Sequence, residues 1–452
     1  MRFDAAALSA VLEHRLPGGA AGLVVGASGG PDSACLLTAL AELCGGSGRC
    51  RLAGRPLPVR AVHVDHGLQA ASAALRESCL ALCRSLSIPL TVIAVAIDGR
   101  GASLEAAARD ARYAALERGL ERGECLLTAH HAEDQAKTLL LQLLRGAGLK
   151  GSSAMPACRA FGAGWHVRPL LEVPRRELER YAGLLGIEAV SDPMNRDSRF
   201  DRAYLRAEIW PGIVARWPGA ALSLGRAARH LADAQGLLDD SADRLLSRLH
   251  DGESLSITGL RALDEREQAQ ALRRWLQLCA VKPPSTARLL EGLRQAMTAQ
   301  SDHSPVVVWG RHALRRYRGR LFLTPAMPPA IAAPLEWRVS EGESLDLGSG
   351  LGRLSWARRA GGLDASRLPG TLSVRRRCGG ESLRPALRAR TRSLQHLCQA
   401  MGVLPWMRDA LPLVFAGDAL VAVADLWQDA RWRAPADAPG LECVWEEGPV
   451  LC

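Results

Sequence analysis

The chain has 452 residues, 48% of them hydrophobic and 23% charged, which is the balance of a globular protein with material for more than one core. Lys and Arg number 57 against 47 Asp and Glu, so the formal net charge of +10 favours a polyanionic partner. The 12 cysteines form no CxxC pair, and no apolar stretch reaches the ~18 residues of a membrane-spanning helix, which argues against a zinc knuckle and a membrane protein.

The N-terminal segment lacks the uninterrupted apolar core of a secretory signal, because Asp4 and Glu13 interrupt it. A large chain without an export signal is not expected to carry a disulfide framework. We therefore expect a cytoplasmic protein with reduced thiols and no membrane partner.

The first half of the chain alternates short apolar runs with helical stretches. The predicted strands are residues 22–27, 59–64, 90–95 and 125–129, and the helices that follow them are 32–43, 71–86, 104–120 and 133–144. This alternation predicts an α/β fold with a doubly wound parallel sheet covered by helices on both faces. In such a sheet the ligand lies beyond the carboxyl ends of the strands.

The second half leaves this pattern. Residues 220–300 have Ala, Leu and Arg at helical spacing, and four prolines within residues 325–334 indicate a linker. We predict a catalytic domain at residues 1–218, a mainly helical middle domain at 219–325 and a small α+β C-terminal domain at 335–452, with a helix at 391–401.

The segment SGGPDS, residues 28–33, joins the first predicted strand to its helix. Gly29 and Gly30 allow a tight turn, and the backbone N–H groups at a helix N-terminus form a cradle for phosphate. The lysine of a Walker-type loop is missing. Asp32 beside a polyphosphate would repel it without a cation, which implies Mg²⁺. The alternative without function is a capped strand–helix turn.

Polar clusters also follow the second and fourth predicted strands, in HVDHGL and AHHAEDQA. His63 and Asp65 share a face of an extended segment, and His131 and Asp134 meet at i,i+3 once a helix begins. Such clusters bind metals, neutralise phosphate or act as general acids and bases. A pure zinc site is less expected, because no cysteine joins the set.

SGGxDS after a first strand resembles the signature of the N-type ATP pyrophosphatases, or PP-loop enzymes, which cleave ATP between the α- and β-phosphates. With HVDHGL and AHHAEDQA, the chain resembles the tRNA(Ile)-lysidine synthetase family in particular. The resemblance continues through residues 105–113, 144–149, 168–171, 192–195, 375–385 and 405–413. The chain departs from that family at Glu133, which keeps a carboxylate, and at Lys137 and Gln69, to which no role is carried over.

The resemblance implies an enzyme that uses ATP to adenylate the C2 oxygen of the wobble cytidine in a CAU-anticodon tRNA(Ile). The ε-amine of L-lysine then expels AMP, which gives lysidine and switches decoding from AUG to AUA. The expected partners are that tRNA and L-lysine, and the expected cofactors are ATP and Mg²⁺. The sequence leaves open whether the chain forms a homodimer.

The residues assigned to this reaction form four sets. The predicted catalytic residues are Asp32, His130 and Asp134, and the predicted metal ligands are Asp32, Glu133 and Asp134. The predicted ATP-binding residues are Ser28, Gly29, Gly30, Pro31, Asp32, Ser33, His63, Asp65, Arg109 and Arg112. For the last two, RNA binding and pairing with Glu105 are the alternatives. The predicted tRNA-binding residues are the closely spaced Arg375, Arg376, Arg377, Arg384, Arg388, Arg390 and Arg392.

Three alternatives remain at this point. A tRNA thiolase uses the same loop but commonly needs CxxC cysteines. An ATP-dependent amidation enzyme acting on a small molecule would leave the basic C-terminal domain without a purpose. A tRNA-binding protein with an inactive ATP site would release no pyrophosphate, which separates it from the enzymes.

Overall fold

The computed structural model of the chain describes residues 2–52, 54–65, 70–96, 104–187, 201–298, 306–348 and 350–449. The predicted motif residues 66–69 and 192–195 and the side chain of Glu105 lie outside the described residues. The chain forms two compact units, Met1–Asp240 and Ser241–Cys452. The division into three domains stays a prediction. No helix in the described ranges is long and apolar enough to cross a membrane.

The first unit is built on a mixed sheet with a parallel centre. Its strands are β1 (Gly22–Gly26), β2 (Arg49–Leu52), β3 (Arg55–Asp65), β4 (Leu90–Ala94), β5 (Glu124–Leu127), β6 (Cys158–Phe161) and β7 (Gly164–Val167). Strands β4, β3, β1, β5 and β7 run parallel in that spatial order, while β2 and β6 pair antiparallel with β3 and β7. The strand order reverses between β1 and β5, which opens a crevice at their carboxyl ends.

Helices cover both faces of this sheet. The helices of this part of the chain are α1 (Ala5–Arg15), α2 (Pro31–Cys44), α3 (Ala70–Ser85), α4 (Leu104–Arg118), α5 (Ala132–Leu144), α6 (Leu149–Ser152), α7 (Arg175–Leu184), α8 (Asp201–Tyr204), α9 (Trp210–Arg216) and α10 (Ala220–Leu249), with a π-helical turn at Leu205–Ile209. Helix α10 begins in the first unit and ends in the second. Along β1, Val25 packs in one core with Leu36 of α2, whereas Val24 packs in the opposite core with Leu116 of α4. The predicted doubly wound sheet is therefore confirmed.

The second unit passes from helices to strands. Its helices are α11 (Ile257–Arg261), α12 (Glu265–Leu278), α13 (Thr286–Thr298) and α14 (Leu394–Met401), with 3-10 turns at Pro405–Ala410 and Ala430–Trp432. Its strands are β8 (Ser254–Ser256), β9 (Val306–Trp309), β10 (His312–Tyr317), β11 (Arg320–Pro325), β12 (Leu335–Arg338), β13 (Ser344–Asp346), β14 (Arg353–Ala360), β15 (Thr371–Arg375), β16 (Ser382–Leu383), β17 (Arg392–Ser393), β18 (Leu413–Ala416), β19 (Ala419–Val423), β20 (Trp427–Gln428) and β21 (Pro439–Glu446).

The strands of the second unit form separate sheets. Strands β8, β11, β10 and β9 make one sheet beside α11 to α13, and β12, β15, β18, β19 and β20 make the main sheet of the C-terminal part. The proline-rich segment 325–334 lies between them without a regular element after Pro325, yet its Ile331 is buried in the C-terminal core. The helical middle and the mixed C-terminal part agree with the predicted fold class.

Candidate active site

The loop between β1 and α2 has a shape that only glycine permits at one position. Gly29 has φ +80°, and a Cβ atom there would lie 2.9 Å from Cδ2 and 3.0 Å from the carbonyl oxygen of Leu75 on α3. The Ser33 hydroxyl donates to the Gly30 carbonyl at 2.9 Å and accepts from the Ser28 backbone N–H at 3.2 Å. These contacts hold the loop in its turned conformation.

The N-terminus of α2 is open to an anion. Pro31 occupies the first turn, where its missing N–H costs no hydrogen bond. The N-cap residue is Gly30, which has no side chain to cap the helix. The N–H groups of the first turn therefore keep the positive end of the helix dipole for a ligand. The role of this loop as a phosphate cradle stays a prediction.

The end of β3 lies beside this loop. His63 is buried, and its Nδ1 donates to the carbonyl oxygen of Ala27 at 2.8 Å, which ties the end of β3 to the end of β1. Asp65 lies two residues further, with its Oδ2 3.7 Å from Nη1 of Arg76. His63 therefore supports the loop through its Nδ1.

His131, at the start of α5, stands between three carboxylates. Its Nε2 lies 3.3 Å from Oδ2 of Asp134 and 3.7 Å from Oδ2 of Asp32. Its Nδ1 lies 3.0 Å from Oε2 of Glu133, an oxygen that also accepts the backbone N–H of Arg175. Glu133 is thus at the opposite edge of the imidazole ring from the two aspartates.

The charges in this cluster shift one another's pKa values. Burial lowers the pKa of His131, but its hydrogen bond to Glu133 and the charges of Asp134 and Asp32 outweigh burial, so the pKa is raised. Burial raises the pKa of Asp134, but the charges of His131 and Lys137 outweigh it and hold that pKa below its usual range. The pKa of Asp32 is raised, first by burial and then by the nearby Asp134, with His131 acting in the opposite direction.

Lys137, one of the departures from the family, belongs to the same cluster. It is 2% exposed, and its Nζ lies 3.7 Å from Oδ1 of Asp134 and 6.0 Å from the ring centre of Trp210. Arg206 also approaches Oδ1 of Asp134, at 3.9 Å. Burial lowers the pKa of Lys137 to about 8. Sequence reasoning gave this residue no role, and the structure makes it a charge partner of a predicted catalytic residue.

A line of buried polar groups leads away from His130. Its Nδ1 lies 2.8 Å from Oγ1 of Thr128, which lies 2.8 Å from Nε2 of His166, and Nδ1 of His166 lies 3.1 Å from Nη2 of Arg168. Burial lowers the pKa of His130 to about 3 and that of His166 to about 2, with Arg168 lowering both further. His130 is therefore neutral at neutral pH. Sequence reasoning missed Thr128 and His166, although Thr128 directly follows β5 and Arg168 begins one of the motifs that resemble the family.

A cavity of about 240 Å³ brings most of the predicted nucleotide residues together. Its lining includes Ser28, Asp32, Ser33, His63, Asp65, Arg112, Tyr113 and His130. Arg109 is not part of this lining; its exposed guanidinium lies 5.2 Å from the ring centre of Tyr113. Arg112 therefore lines the cavity, whereas Arg109, one helical turn away, does not.

Asp32 and Asp134 have the chemistry to share a magnesium ion, because both reach the same edge of His131. Mg²⁺ commonly takes one or two carboxylates and completes its shell with substrate phosphates and water. Glu133, the third predicted ligand, bonds the other ring nitrogen and lies at the opposite edge of the ring. Within the described ranges, no group of three or more His, Cys, Asp or Glu side chains could hold a metal ion unaided.

The seven predicted tRNA-binding arginines of the second unit differ in exposure. Arg375 lies over the ring of Phe415 at 3.9 Å, Arg377 lies 3.6 Å from Glu381, and Arg384 is half-buried. The exposed members are Arg376, Arg388, Arg390 and Arg392. We call these four residues the exposed arginine set. Their role in binding tRNA phosphates stays a prediction.

Comparisons with known proteins agree with this layout. Residues 5–213 match the PP-loop domain family, residues 255–322 match the TilS substrate binding domain, and residues 372–445 match the TilS substrate C-terminal domain. Among solved structures, a U34-tRNA thiolase from Methanococcus maripaludis is 15% identical, with a TM-score of 0.41 over 50% of this chain and 78% of that chain. That likeness is too slight to bear on the reaction.

Curated relatives match over nearly the whole chain. The tRNA(Ile)-lysidine synthase of Alkalilimnicola ehrlichii is 39% identical over 96% of this chain and 95% of its own length. That of Pseudomonas aeruginosa is 40% identical over 93% of this chain and 96% of its own length. At these identities and coverages, the chain belongs to the tRNA(Ile)-lysidine synthase family, which confirms the resemblance carried by SGGPDS, HVDHGL and AHHAEDQA.

Proposed function

We propose that this chain is an ATP-dependent ligase that joins L-lysine to C2 of the wobble cytidine in a CAU-anticodon tRNA(Ile). The observation that carries the proposal is one cavity lined by Ser28 and Ser33 of the loop, Asp32 and His130, in a chain with this family membership. A PP-loop family implies the use of ATP.

The reaction has two steps. The C2 oxygen of the cytidine attacks the α-phosphorus of ATP, the bond from that phosphorus to the bridging oxygen breaks, and pyrophosphate leaves. The ε-amine of lysine then attacks C2, the bond from C2 to the adenylate oxygen breaks, and AMP leaves while the amine gives up a proton. Both steps depend mainly on positioning and on stabilising phosphate charge, with no covalent enzyme intermediate.

The residues in and beside the cavity would divide this work. The loop at residues 28–33, with the N–H groups that begin α2, would cradle the phosphates, and Asp65 and Arg112 of the cavity lining would meet the nucleoside. His130 faces the reacting phosphate as a neutral imidazole. His131 holds Asp32 and Asp134 at one edge of its ring, which orients both carboxylates.

Mg²⁺ would be held by Asp32 and Asp134 together with phosphate oxygens, and it would neutralise the charge of the departing pyrophosphate. The raised pKa of Asp32 beside Asp134 supports this assignment, because two close carboxylates favour a cation between them. Glu133 would act through His131 and not as a ligand.

The tRNA would bind through its phosphates to the exposed arginine set, in a C-terminal domain at residues 335–452. The middle domain at 219–325 includes the stretch that matches a substrate binding domain. Arg375 and Arg377, which pack against Phe415 and Glu381, would support that surface. We place the reaction in the cytoplasm, where the tRNA substrate is found.

Incorporation of radiolabelled lysine into unmodified CAU-anticodon tRNA(Ile), with ATP and magnesium, tests this proposal. A CAU-anticodon tRNA(Met) and a tRNA(Ile) with a GAU anticodon serve as controls. We expect stable, ATP-dependent labelling of the first RNA alone. Pyrophosphate release without any RNA labelling would refute the proposed substrate, and release without RNA would favour the small-molecule alternative.

A further inference from the structure

The polar line from His130 ends on a group that can only donate. Arg168 is 4% exposed, and its Nη1 donates to the carbonyl oxygen of Pro156 at 2.7 Å, which fixes the guanidinium in place. Its Nη2 therefore donates to Nδ1 of His166, because a guanidinium has no acceptor atom. An Nδ1 that accepts leaves neutral His166 with its hydrogen on Nε2.

The same reasoning passes through Thr128 to His130. Nε2 of His166 donates to Oγ1 of Thr128, so the single hydroxyl hydrogen of Thr128 is free to donate to Nδ1 of His130. With Nδ1 accepting, neutral His130 carries its hydrogen on Nε2. The reverse tautomer would aim an Nδ1–H at a hydroxyl that already accepts from His166 and leave the hydroxyl hydrogen without an acceptor in this line.

We propose that Arg168, through His166 and Thr128, sets the tautomer of His130 so that its Nε2 presents an N–H donor to the cavity. Arg168, His166 and Thr128 are positioning residues in this account. It rests on the proposed function for the ligand that His130 meets, namely a phosphate oxygen of ATP. His130 then acts as a neutral hydrogen-bond donor to charge that develops during adenylation, and not as a general base.

Burial supports this assignment independently of the ligand. His166 is 0% exposed and Thr128 9% exposed, so water does not compete for the hydrogen bonds of the line. Strand pairing also holds the partners, because Leu126 of β5 pairs with His166 of β7 and the Thr128 N–H donates to the Val167 carbonyl oxygen at 3.2 Å. The pairing of β5 with β7 thus holds Thr128 and His166 next to each other.

The first test is NMR of the full chain carrying ¹⁵N-labelled histidine, with His130→Gln used to assign the His130 signals. We expect Nε2 of His130 to carry the hydrogen and Nδ1 to carry none at pH 7. A hydrogen on Nδ1 would overturn the proposal. This result does not depend on the substrate, so it stands apart from the lysine-incorporation test.

The second test compares Thr128→Val with Thr128→Ser, which differ in the hydroxyl that links the two histidines. We expect Thr128→Val to slow single-turnover pyrophosphate release by about ten- to a hundred-fold, by analogy with the loss of partners that orient metal-ligating histidines, with little change in the KM for ATP. Thr128→Ser should restore most of the lost rate. Equal rates in the two variants would overturn the proposal. Arg168→Met should resemble Thr128→Val if it folds.

Discussion

Nε2 of His131 lies 3.3 Å from Oδ2 of Asp134, inside the candidate active site and with the histidine side chain 1% exposed. The imidazole pKa is raised and the carboxyl pKa is lowered, because the protonated ring and the ionised carboxylate stabilise each other as an ion pair. This pair joins the first turn of α5 to the carboxylate of Asp32 on α2. The chemistry at the loop therefore depends on the packing of two different helices.

Replacing His131 with Gln should destabilise the fold by about 3 kcal/mol, because it leaves Asp134 with less compensation for burial. The raised pKa of His131 gives stability that is complete below the unfolded value of ~6.5 and is lost as pH rises through the folded value. The lowered pKa of Asp134 gives stability that is present above ~3.9 and lost as pH falls through the folded value. Urea unfolding should therefore show the largest difference from wild type between about pH 4 and pH 6.5. A difference that is the same at pH 5 and pH 9 would contradict the ion pair.

Replacing Lys137 with Met tests the other charge beside Asp134. Its folded pKa of about 8 lies below the ~10.4 of an unfolded lysine, so the folded state releases its proton first. Between these two pKa values the folded state binds fewer protons than the unfolded state, so the free energy of unfolding rises with pH. The wild type should gain stability relative to Lys137→Met between about pH 8 and pH 10, as measured by urea unfolding. If the free energies of unfolding of the two proteins changed in parallel with pH, the pKa of Lys137 would not be lowered in the folded state.

Gly29→Ala should abolish pyrophosphate release, because the added Cβ atom would press on Leu75 and shift the phosphate loop. Gly46→Ala is the matched control, since Gly46 has a similar φ of +77° and a Cβ atom there would meet no other atom within 4 Å. Both variants should lose about 1–2 kcal/mol from the left-handed backbone alone. If Gly29→Ala kept the activity of Gly46→Ala, the close approach of α3 would not matter for the loop.

The phosphate loop shows how far sequence reasoning reaches. The position of this loop was predictable from the sequence, because the apolar run of β1 is followed at once by two glycines and then by the start of α2. Helix α14 begins at Leu394 and not at the predicted residue 391, because the Ser393 hydroxyl caps it by accepting from the His396 N–H. The hairpin of β2 with β3 was not predicted, since β3 opens with Arg55-Pro-Leu-Pro, and prolines usually argue against a strand.

The side-chain partners within the site were harder to predict from the sequence. His166 reaches Thr128 only because β7 pairs with β5, and nothing local in the sequence states which strands are neighbours. The predicted metal ligands stay a prediction, and Glu133 bonds the edge of His131 opposite Asp32 and Asp134. Adjacent positions on the first turn of a helix point in different directions, so proximity along the chain did not decide which carboxylates converge.

Arg388→Gln should weaken tRNA binding and make it less dependent on salt. Each phosphate contact that is lost should lower the slope of log affinity against log salt concentration by about 0.7 to 0.9. Arg294→Gln is the control, because Arg294 is also exposed in the second unit but pairs with Glu291 at 2.7 Å. Filter binding over a range of salt concentrations measures both slopes. Equal slopes for the two variants would remove Arg388 from the binding surface.

The most direct test of the account uses ATP labelled in its α-phosphate, unmodified CAU-anticodon tRNA(Ile), and no lysine. Wild-type protein should transfer the label to the RNA and release pyrophosphate, and added lysine should then release the label as AMP. Asp32→Asn should leave the label in ATP, because the loop would lose the carboxylate that meets the cation and phosphates. Formation of labelled AMP or of pyrophosphate without RNA would contradict adenylation of tRNA by this protein. Full transfer of the label by Asp32→Asn would contradict adenylation at the loop between β1 and α2.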